Sequence, residues 1–128
     1  DESDWPGTID LKKYGTRTFV DAARIFALKH GVAASNTAER IRLAAQRMGM
    51  QSEEAAAIID AFHFIQLLRL RNQEEAVAAE DGAEGEARAA NPNRVNPDDL
   101  NALDRRILKE ALRQARKLQS RLELDFKL

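Results

Sequence analysis

The first forty residues contain two helical patterns, each with an apolar side and a polar side. In the first pattern, apolar residues recur at i, i+3, i+4 and i+7, which places them on one face of a helix. These residues are Phe19, Ala22, Ala23 and Phe26. We predict that this helix runs from about Thr16 to His30 and ends at Gly31. The core of the fold needs its apolar face.

Capping residues mark the start of two further helices. Asn36, with a glutamate three residues later, forms a capping-box-like start of the second helix, which ends at Gly49. Ser52 is the predicted cap of a long third helix that reaches about Ala78. The centre of this helix, residues 58–70, is apolar on most sides. We therefore expect it to be the central helix of a bundle.

Residues 80–96 show no apolar periodicity and are rich in Ala, Gly, Glu, Asp and Asn, which predicts a long loop. The sequence Asn-Pro-Asp-Asp at 96–99 then predicts a short turn. The last helix follows from about Ala102 to Asp125. Its apolar stripe, which we expect to pack along the third helix, comprises Leu100, Leu103, Ile107, Ala111, Ala115, Leu118, Leu122 and Phe126.

These patterns predict an all-α fold, an antiparallel four-helix bundle over residues 16–128 with an extended lead-in at 1–15. Ile9 and Leu11 alternate with charged residues in the lead-in, a short strand pattern. The chain starts at Asp1 without an initiator Met, and we interpret the lead-in as a connection from an upstream domain. The residues that we expect to be mostly buried are Phe19, Phe26, Ile41, Ile58, Phe62, Ile65, Leu68, Ile107, Leu118 and Leu122.

The composition limits the classes of function. With 128 residues, 44% of them hydrophobic and 32% charged, the chain is typical of one soluble, globular helical domain. Its net charge of -1 argues against general nucleic-acid binding. Cys is absent, which excludes a thiolate metal site, a cysteine nucleophile and a disulfide, and fits the cytoplasm as the location. The sequence shows neither a membrane-span pattern nor a signal-peptide pattern.

The sequence also lacks the residue patterns of an independent catalyst. His30 and His63 lie on different predicted helices and have no H-x-x-x-H or H-E-x-x-H partner. His63 follows Asp60 by one helical turn, which favours a hydrogen-bonded structural histidine. A Gly-rich phosphate loop, a G-x-S-x-G elbow and a strand with an Asp-x-Asp pair are all missing. We expect no catalytic residue, no metal ligand and no cofactor in this chain.

Several short stretches match a known family. They are Ile9-Asp10-Leu11-Lys12-Lys13 with Gly15, Val20-Asp21-x-Ala23-Arg24, Asn36-Thr37-x-x-Arg40, and the segments 67–71 and 103–112. In order and spacing they resemble the nucleotidyltransferase substrate-binding domain, the helical C-terminal module of bacterial proteins that also carry a nucleotidyltransferase domain. In those proteins a cyclic-nucleotide-binding domain and paired CBS domains usually come first. This chain departs from the family at Thr18, where Pro is frequent, and at Asn72, where His is frequent.

The resemblance implies an accessory role. The helical domain would pack against the upstream nucleotidyltransferase domain of the same polypeptide and help to form the acceptor or nucleotide site. In this role the domain is similar to the helical domains of the aminoglycoside nucleotidyltransferases and of the uridylyltransferases that modify the PII signalling protein. The catalytic domain would hold Mg²⁺ and a nucleoside triphosphate for in-line attack on the α-phosphate, with a protein or a small molecule as the acceptor. This chain would supply positioning and charge complementarity, and would be inactive alone.

The residues that we predict to bind substrate are polar or charged and lie on the family stretches. Six of them should converge on one surface, because the polar face of the first helix and the start of the second are joined by few residues. Cations and free helix amides at that surface would attract negative charge. The full set is Lys12, Lys13, Asp21, Arg24, Asn36, Thr37, Arg40 and Arg69, of which Asp21 and Arg69 stand outside the six.

Each of these residues has a structural alternative. The two lysines are about as well explained by solvation. Asp21 and Arg24 could form a surface ion pair worth less than ~1 kcal/mol. Asn36 suits a helix cap better than a ligand. Arg69 and Arg71 are two residues apart on one helix, so at most one faces the site, and we favour Arg69.

Two other classes of function stay open. A HEPN-type ribonuclease or nucleotide-binding module carries an Arg followed by a His on one helix, which Arg24 and His30 satisfy loosely. Six residues at ~100° each, however, put these side chains about 120° apart around the helix. The second alternative is an interaction module that forms a homodimer through the apolar stripe of the last helix.

Overall fold

The computed structural model describes residues 8–78 and 93–126. Within them the prediction of an all-α bundle is confirmed. Residues 1–7 of the predicted lead-in and residues 80–92 of the predicted loop lie outside the described residues. The helices are α1 (Arg17–Lys29), α2 (Thr37–Met48), α3 (Ser52–Ala78) and α4 (Ala102–Phe126).

Local capping bonds set the helix ends close to where the sequence predicts them. The Asn36 side chain accepts a hydrogen bond from the Glu39 N–H at 2.8 Å, and Asn101 accepts one from the Asp104 N–H at 2.7 Å. Gly49 ends α2 at a φ of 75°, a left-handed conformation that favours glycine. The start of α3 is shifted by one residue. The Ala55 N–H donates to the carbonyl of Gln51, so Gln51 occupies the position predicted for Ser52.

Helical structure begins earlier than the sequence predicts. Strand β1 (Ile9–Asp10) is followed directly by a π-helical turn, Lys12–Thr16, that continues into α1. The Asp10 carboxylate accepts hydrogen bonds from the N–H groups of Lys12 and Lys13, both at 3.0 Å. These bonds satisfy donors at the start of a helix, as an N-cap does. The extended lead-in is therefore limited, among the described residues, to the segment before Leu11.

A second strand forms inside the segment predicted as loop. Strand β2 (Arg94–Val95) pairs antiparallel with β1, with Ile9 opposite Val95. The N–H of Leu11 adds a hydrogen bond to the carbonyl of Asn93 at 2.7 Å. The prediction of loop at 94–95 is wrong because this pairing joins residues more than eighty positions apart. The predicted short turn is present at Pro97–Asp99.

Helix α3 packs against α2 and α4, and α1 packs against the same two helices, so α3 is not more central than α1, in contrast to the prediction. The Phe62 ring of α3 lies 5.7 Å from the ring of Phe19 on α1, and Ile65 of α3 touches the π-helical turn at Gly15. Higher numbers on α3 thus meet lower numbers on α1, so the two helices are antiparallel. Helix α4 is antiparallel to α3 as well. Arg71 binds Asp104 at 3.3 Å near one end, and Ile58 and Leu118 line one groove near the other.

Helices α1 and α2 run in the same direction, and both run opposite to α3. The Arg47 guanidinium, near the end of α2, donates to the carbonyl of Gly31 at 2.8 Å and to that of His30. Residues 49–51 form a short connection between α2 and α3, and residues of both helices line the groove beside it. The connection 31–36 therefore returns alongside α2. The predicted antiparallel packing holds for the helix pairs that contain α3.

The predicted core is confirmed except at Ile107. That side chain is 37% exposed, whereas its neighbour Leu108 is 1% exposed. The buried stripe of α4 faces both α3 and α1, and Ile107 lies at its edge together with Leu103, which is 64% exposed. The buried residues of α4 are Leu108, Ala111, Gln114, Ala115, Leu118 and Leu122.

Gly15 allows the π-helical turn to approach α3 closely. A Cβ at this position would lie 2.9 Å from Cδ1 and 3.0 Å from Cγ2 of Ile65, which is completely buried. We expect Gly15→Ala to lower the free energy of unfolding by about 1–3 kcal/mol through overpacking. Urea unfolding measures the loss. Ile65→Val removes Cδ1, so the same glycine substitution should cost less in that background. Equal costs in both backgrounds would show that Ile65 is not the obstacle.

Candidate functional site

Asn36, Thr37 and Arg40 lie together at the start of α2. Asn36 is the N-cap, Thr37 is the first helical residue, and the Arg40 Nε donates to the carbonyl of Ala34 at 2.8 Å. Arg40 thus fastens the returning connection to α2. The Asn36 side chain occupies one amide of the first turn, that of Glu39. The other amides of a first turn keep a partial positive charge that favours an anion.

Arg24 lies on α1 at the same height as Arg40. Ala23 and Ile41 line one small cavity between α1 and α2. Arg24 follows Ala23 and Arg40 precedes Ile41, and the two helices run in the same direction. The structure therefore brings Arg24 level with the first turns of α2. We call Arg24, Asn36, Thr37 and Arg40 the α1–α2 edge.

The ion pair between Asp21 and Arg24 is absent. Both side chains are exposed on α1, and neither has a hydrogen-bond or ion-pair partner within the described residues. The interpretation of these two residues as a surface pair is therefore wrong. A free guanidinium on an exposed face has no structural bond to lose when it meets a partner. Within residues 8–78 and 93–126, Arg24 therefore has no acidic partner and could bind an acidic group.

Lys12 and Lys13 lie apart from the α1–α2 edge. Both are exposed on the π-helical turn, and the Lys13 ammonium is 5.3 Å from the centroid of the Tyr14 ring. Eleven residues separate Lys13 from Arg24, a rise of roughly 16 Å along the helix. One small ligand cannot span both, whereas a domain interface of ordinary size can. That all six residues share one surface stays a prediction.

Arg69 connects three elements at the same end of the bundle as the lysines. Its Nε donates to the Asn93 side chain at 2.7 Å, and its Nη1 donates to Thr16 Oγ1 at 3.2 Å. The side chain is half-buried. The two bonds hold α3 to the segment before β2 and to the end of the π-helical turn. They give Arg69 a structural role that its sequence position alone did not indicate.

Two other polar residues also hold the fold together. Asn72, where the family often has His, donates from its side chain to the carbonyl of Arg94 at 2.9 Å. Arg47, which the sequence analysis did not single out, covers the carboxyl end of α1 through its bonds to His30 and Gly31. A cation is favourable at such a helix end. The signal that could have identified it is a basic residue in the last turn of α2.

The described residues carry no assembled metal site. They contain no group of three or more His, Cys, Asp or Glu side chains that could hold an ion. Among the helices of residues 8–78 and 93–126, none combines the length and the apolarity that a bilayer span needs. His30 follows the last residue of α1, and its buried Nε2 has no hydrogen-bond partner within the part of the chain that the structure describes.

Comparison with models of protein families identifies the family of this chain. A family model described as "Putative nucleotidyltransferase substrate binding domain" matches residues 1–126. The chain belongs to this family. The match covers both described parts and the segment between them, so the suspected family is confirmed. Neither the curated proteins nor the solved structures contain a match to the chain.

Proposed function

We propose that this chain is the accessory domain of a nucleotidyltransferase, and that it positions the acceptor or the nucleotide for a catalytic domain in the same polypeptide. Membership of the nucleotidyltransferase substrate-binding family is the observation that carries the proposal. The exposed cations of the described residues are suited to binding an anionic substrate or an acidic surface.

The α1–α2 edge is the surface that we propose for docking the catalytic domain or its acceptor. Arg24 is exposed and makes no ion pair within the described part of the chain. The amides at the start of α2 add a partial positive charge at the same height. An acidic group of the catalytic domain, or a phosphate at its site, would complement both. Lys12 and Lys13 extend the positive charge along α1.

The catalytic domain would bring Mg²⁺ and a nucleoside triphosphate. Mg²⁺ would stabilise the charge that develops during attack on the α-phosphate. The residues of this chain would instead hold the reactants or the catalytic domain in position. This lowers the activation free energy, because the entropy of orientation is lost on binding and not in the chemical step. A cytoplasmic, bacterial signalling protein of the uridylyltransferase type, with a protein acceptor, is the finer form of this proposal.

Assays of the isolated chain separate this function from a ribonuclease. We expect it to transfer no nucleotide from any of the four ribonucleoside triphosphates with Mg²⁺, and to leave single-stranded RNA intact. Transfer should appear only when the catalytic domain is joined to it. RNA cleavage that His30→Ala abolishes would instead favour the HEPN-type alternative, with Arg24→Ala as a second test of the same pair.

The homodimer alternative rests on apolar side chains that α3 and α4 leave exposed. Leu67 and Leu70 on α3 are 48% and 50% exposed, and Leu103 on α4 is 64% exposed. Light scattering of the isolated chain and of the chain joined to its catalytic domain distinguishes the two cases. A dimer of both forms favours an interaction module. A dimer of the isolated chain alone indicates that the catalytic domain covers this surface.

A further inference from the structure

A groove separates the beginning of α3 from the second half of α4. Its volume of about 560 Å³ lies in the range of sites for small molecules. It lies between α3 and α4, whereas the α1–α2 edge belongs to the other two helices. Apolar side chains from the α2–α3 connection, α3 and α4 line it, namely Met50, Ile58, Leu118 and Leu124.

The polar residues around the groove are mostly cations. Arg113, Arg116, Lys117 and Arg121 line it, against one carboxylate, that of Glu54. Two of the cations are already paired, because Arg113 binds Glu110 and Arg121 lies 3.7 Å from Asp125. Arg116 and Lys117 are exposed and form no salt bridge within the described residues. They leave the groove with positive charge that a ligand could neutralise.

A buried amide in the wall of the groove has an unused hydrogen-bond acceptor. Gln114 is only 5% exposed, and its Nε2 donates to Glu110 Oε2 at 2.8 Å. A hydrogen bond from Arg113, and to a smaller extent one from Gln114, lowers the pKa of Glu110 to about 2. Glu110 is therefore a carboxylate at neutral pH, and it can accept hydrogen bonds but not donate them. Nε2, the donor end of the Gln114 amide, is therefore the end that faces Glu110.

The other end of that amide, Oε1, is buried and has no donor among the described residues. An acceptor left unsatisfied in this way is a cost to the stability of the fold. Gln114 lines the groove, and the terminal torsion of Gln is broad, so its side chain can turn to present Oε1 to a ligand there. A ligand with an N–H or O–H group would remove the cost. Gln114 therefore adds a specific polar requirement to the apolar wall and the positive rim.

We propose that this groove is a binding site for a small organic anion that carries a hydrogen-bond donor on an apolar body. The body would lie against Met50, Ile58 and Leu118. The anionic group would contact Arg116 and Lys117, and the donor would bond to Gln114 Oε1. The site is separate from the α1–α2 edge and does not depend on the proposed function.

Three related dyes test the proposal on the 128-residue chain. Anilinonaphthalene sulfonate has the apolar body, the anion and an N–H donor. Its N-methyl analogue lacks the donor but keeps both ring systems and the anion, and N-phenylnaphthylamine lacks the anion. We expect the complete dye to bind about tenfold more tightly than either partial one, because each loses one favourable contact. Amide resonances in NMR spectra should shift at Met50, Gln114 and Lys117. Equal affinity for all three, or shifts confined to other surfaces, would overturn the proposal.

Variants of α4 separate a ligand site from general attraction. Gln114→Leu should weaken the complete dye about tenfold and leave the urea midpoint unchanged or higher, since it removes an unsatisfied group. Lys117→Ala should weaken both anionic dyes. Lys109→Ala removes the same charge from an exposed position of α4 outside the groove, and should change neither. If Gln114→Leu stabilises the chain without weakening the dye, Oε1 binds an ordered water only and the proposal fails.

Discussion

Replacing Phe62 by alanine should lower the free energy of unfolding by about 3–5 kcal/mol. Phe62 lies on α3 and is only 5% exposed, with its ring tilted at 58° to that of Phe19. The substitution removes a large apolar side chain and leaves a cavity between α3 and α1. Urea unfolding followed by circular dichroism measures the change. Phe62→Leu, which keeps most of the volume, should cost less and leave the chain folded for comparison.

Leu67→Ala is the matched control for this prediction. It changes a large apolar residue on the same helix, but one that is 48% exposed. Because about half of the side chain stays in water after folding, the expected loss is only about 1 kcal/mol. If Phe62→Ala costs no more than Leu67→Ala, then Phe62 does not lie in the core that the structure describes.

Arg24→Ala should lower kcat/KM for nucleotidyl transfer by about 10–100-fold in a protein that joins this domain to its catalytic domain. A hydrogen bond to a charged group contributes about 1.5–3 kcal/mol, which corresponds to that factor. The melting temperature should not change, since Arg24 makes no bond within the described residues. Arg106→Ala is the control, because it removes an exposed arginine from α4.

Arg40→Ala should behave differently from Arg24→Ala. It also removes the hydrogen bond to the carbonyl of Ala34, so a stability loss of about 0.5–1.5 kcal/mol should accompany the loss of transfer. If both variants lose stability and keep full activity, these residues serve the fold alone.

Local hydrogen bonding explains why the helices could be predicted from the sequence. Asn36 and Asn101 cap helices through bonds that span three residues, and Gly49 ends a helix by its own conformation. Such signals depend only on neighbours in the chain. The apolar stripe of α1 is equally local, because the spacing of its residues is enough to define a buried face. That stripe comprises Phe19, Ala22, Ala23 and Phe26.

Features that depend on distant contacts could not be predicted in this way. Strand β2 exists because it pairs with β1, which lies far away in the sequence. The direction of α2 depends on the path of 31–36, which Arg47 holds against the end of α1. The burial of Leu108 instead of Ile107 reflects that α4 packs against two helices rather than one. Periodicity alone leaves the edge of such a stripe undetermined.

The candidate site was only partly readable from the sequence for the same reason. Charge patterns show which residues are polar but not what they bind. Arg69 bonds to Asn93 and Thr16, and only the tertiary structure reveals this. Arg24 and Arg40 lie at the same level along the helix axes because α1 and α2 run in the same direction. The sequence also does not show that Oε1 of Gln114 is buried without a donor among the described residues.

The most direct test of docking at the α1–α2 edge is an NMR titration of the isotope-labelled chain with its catalytic domain. We predict that the amides of Arg24, Asn36, Thr37 and Arg40 shift or broaden together on binding. The groove between α3 and α4 should be unaffected, so the dye site and the docking surface can be judged separately. Perturbations confined to α3 and α4, or none at saturating concentrations of the catalytic domain, would contradict docking at this edge.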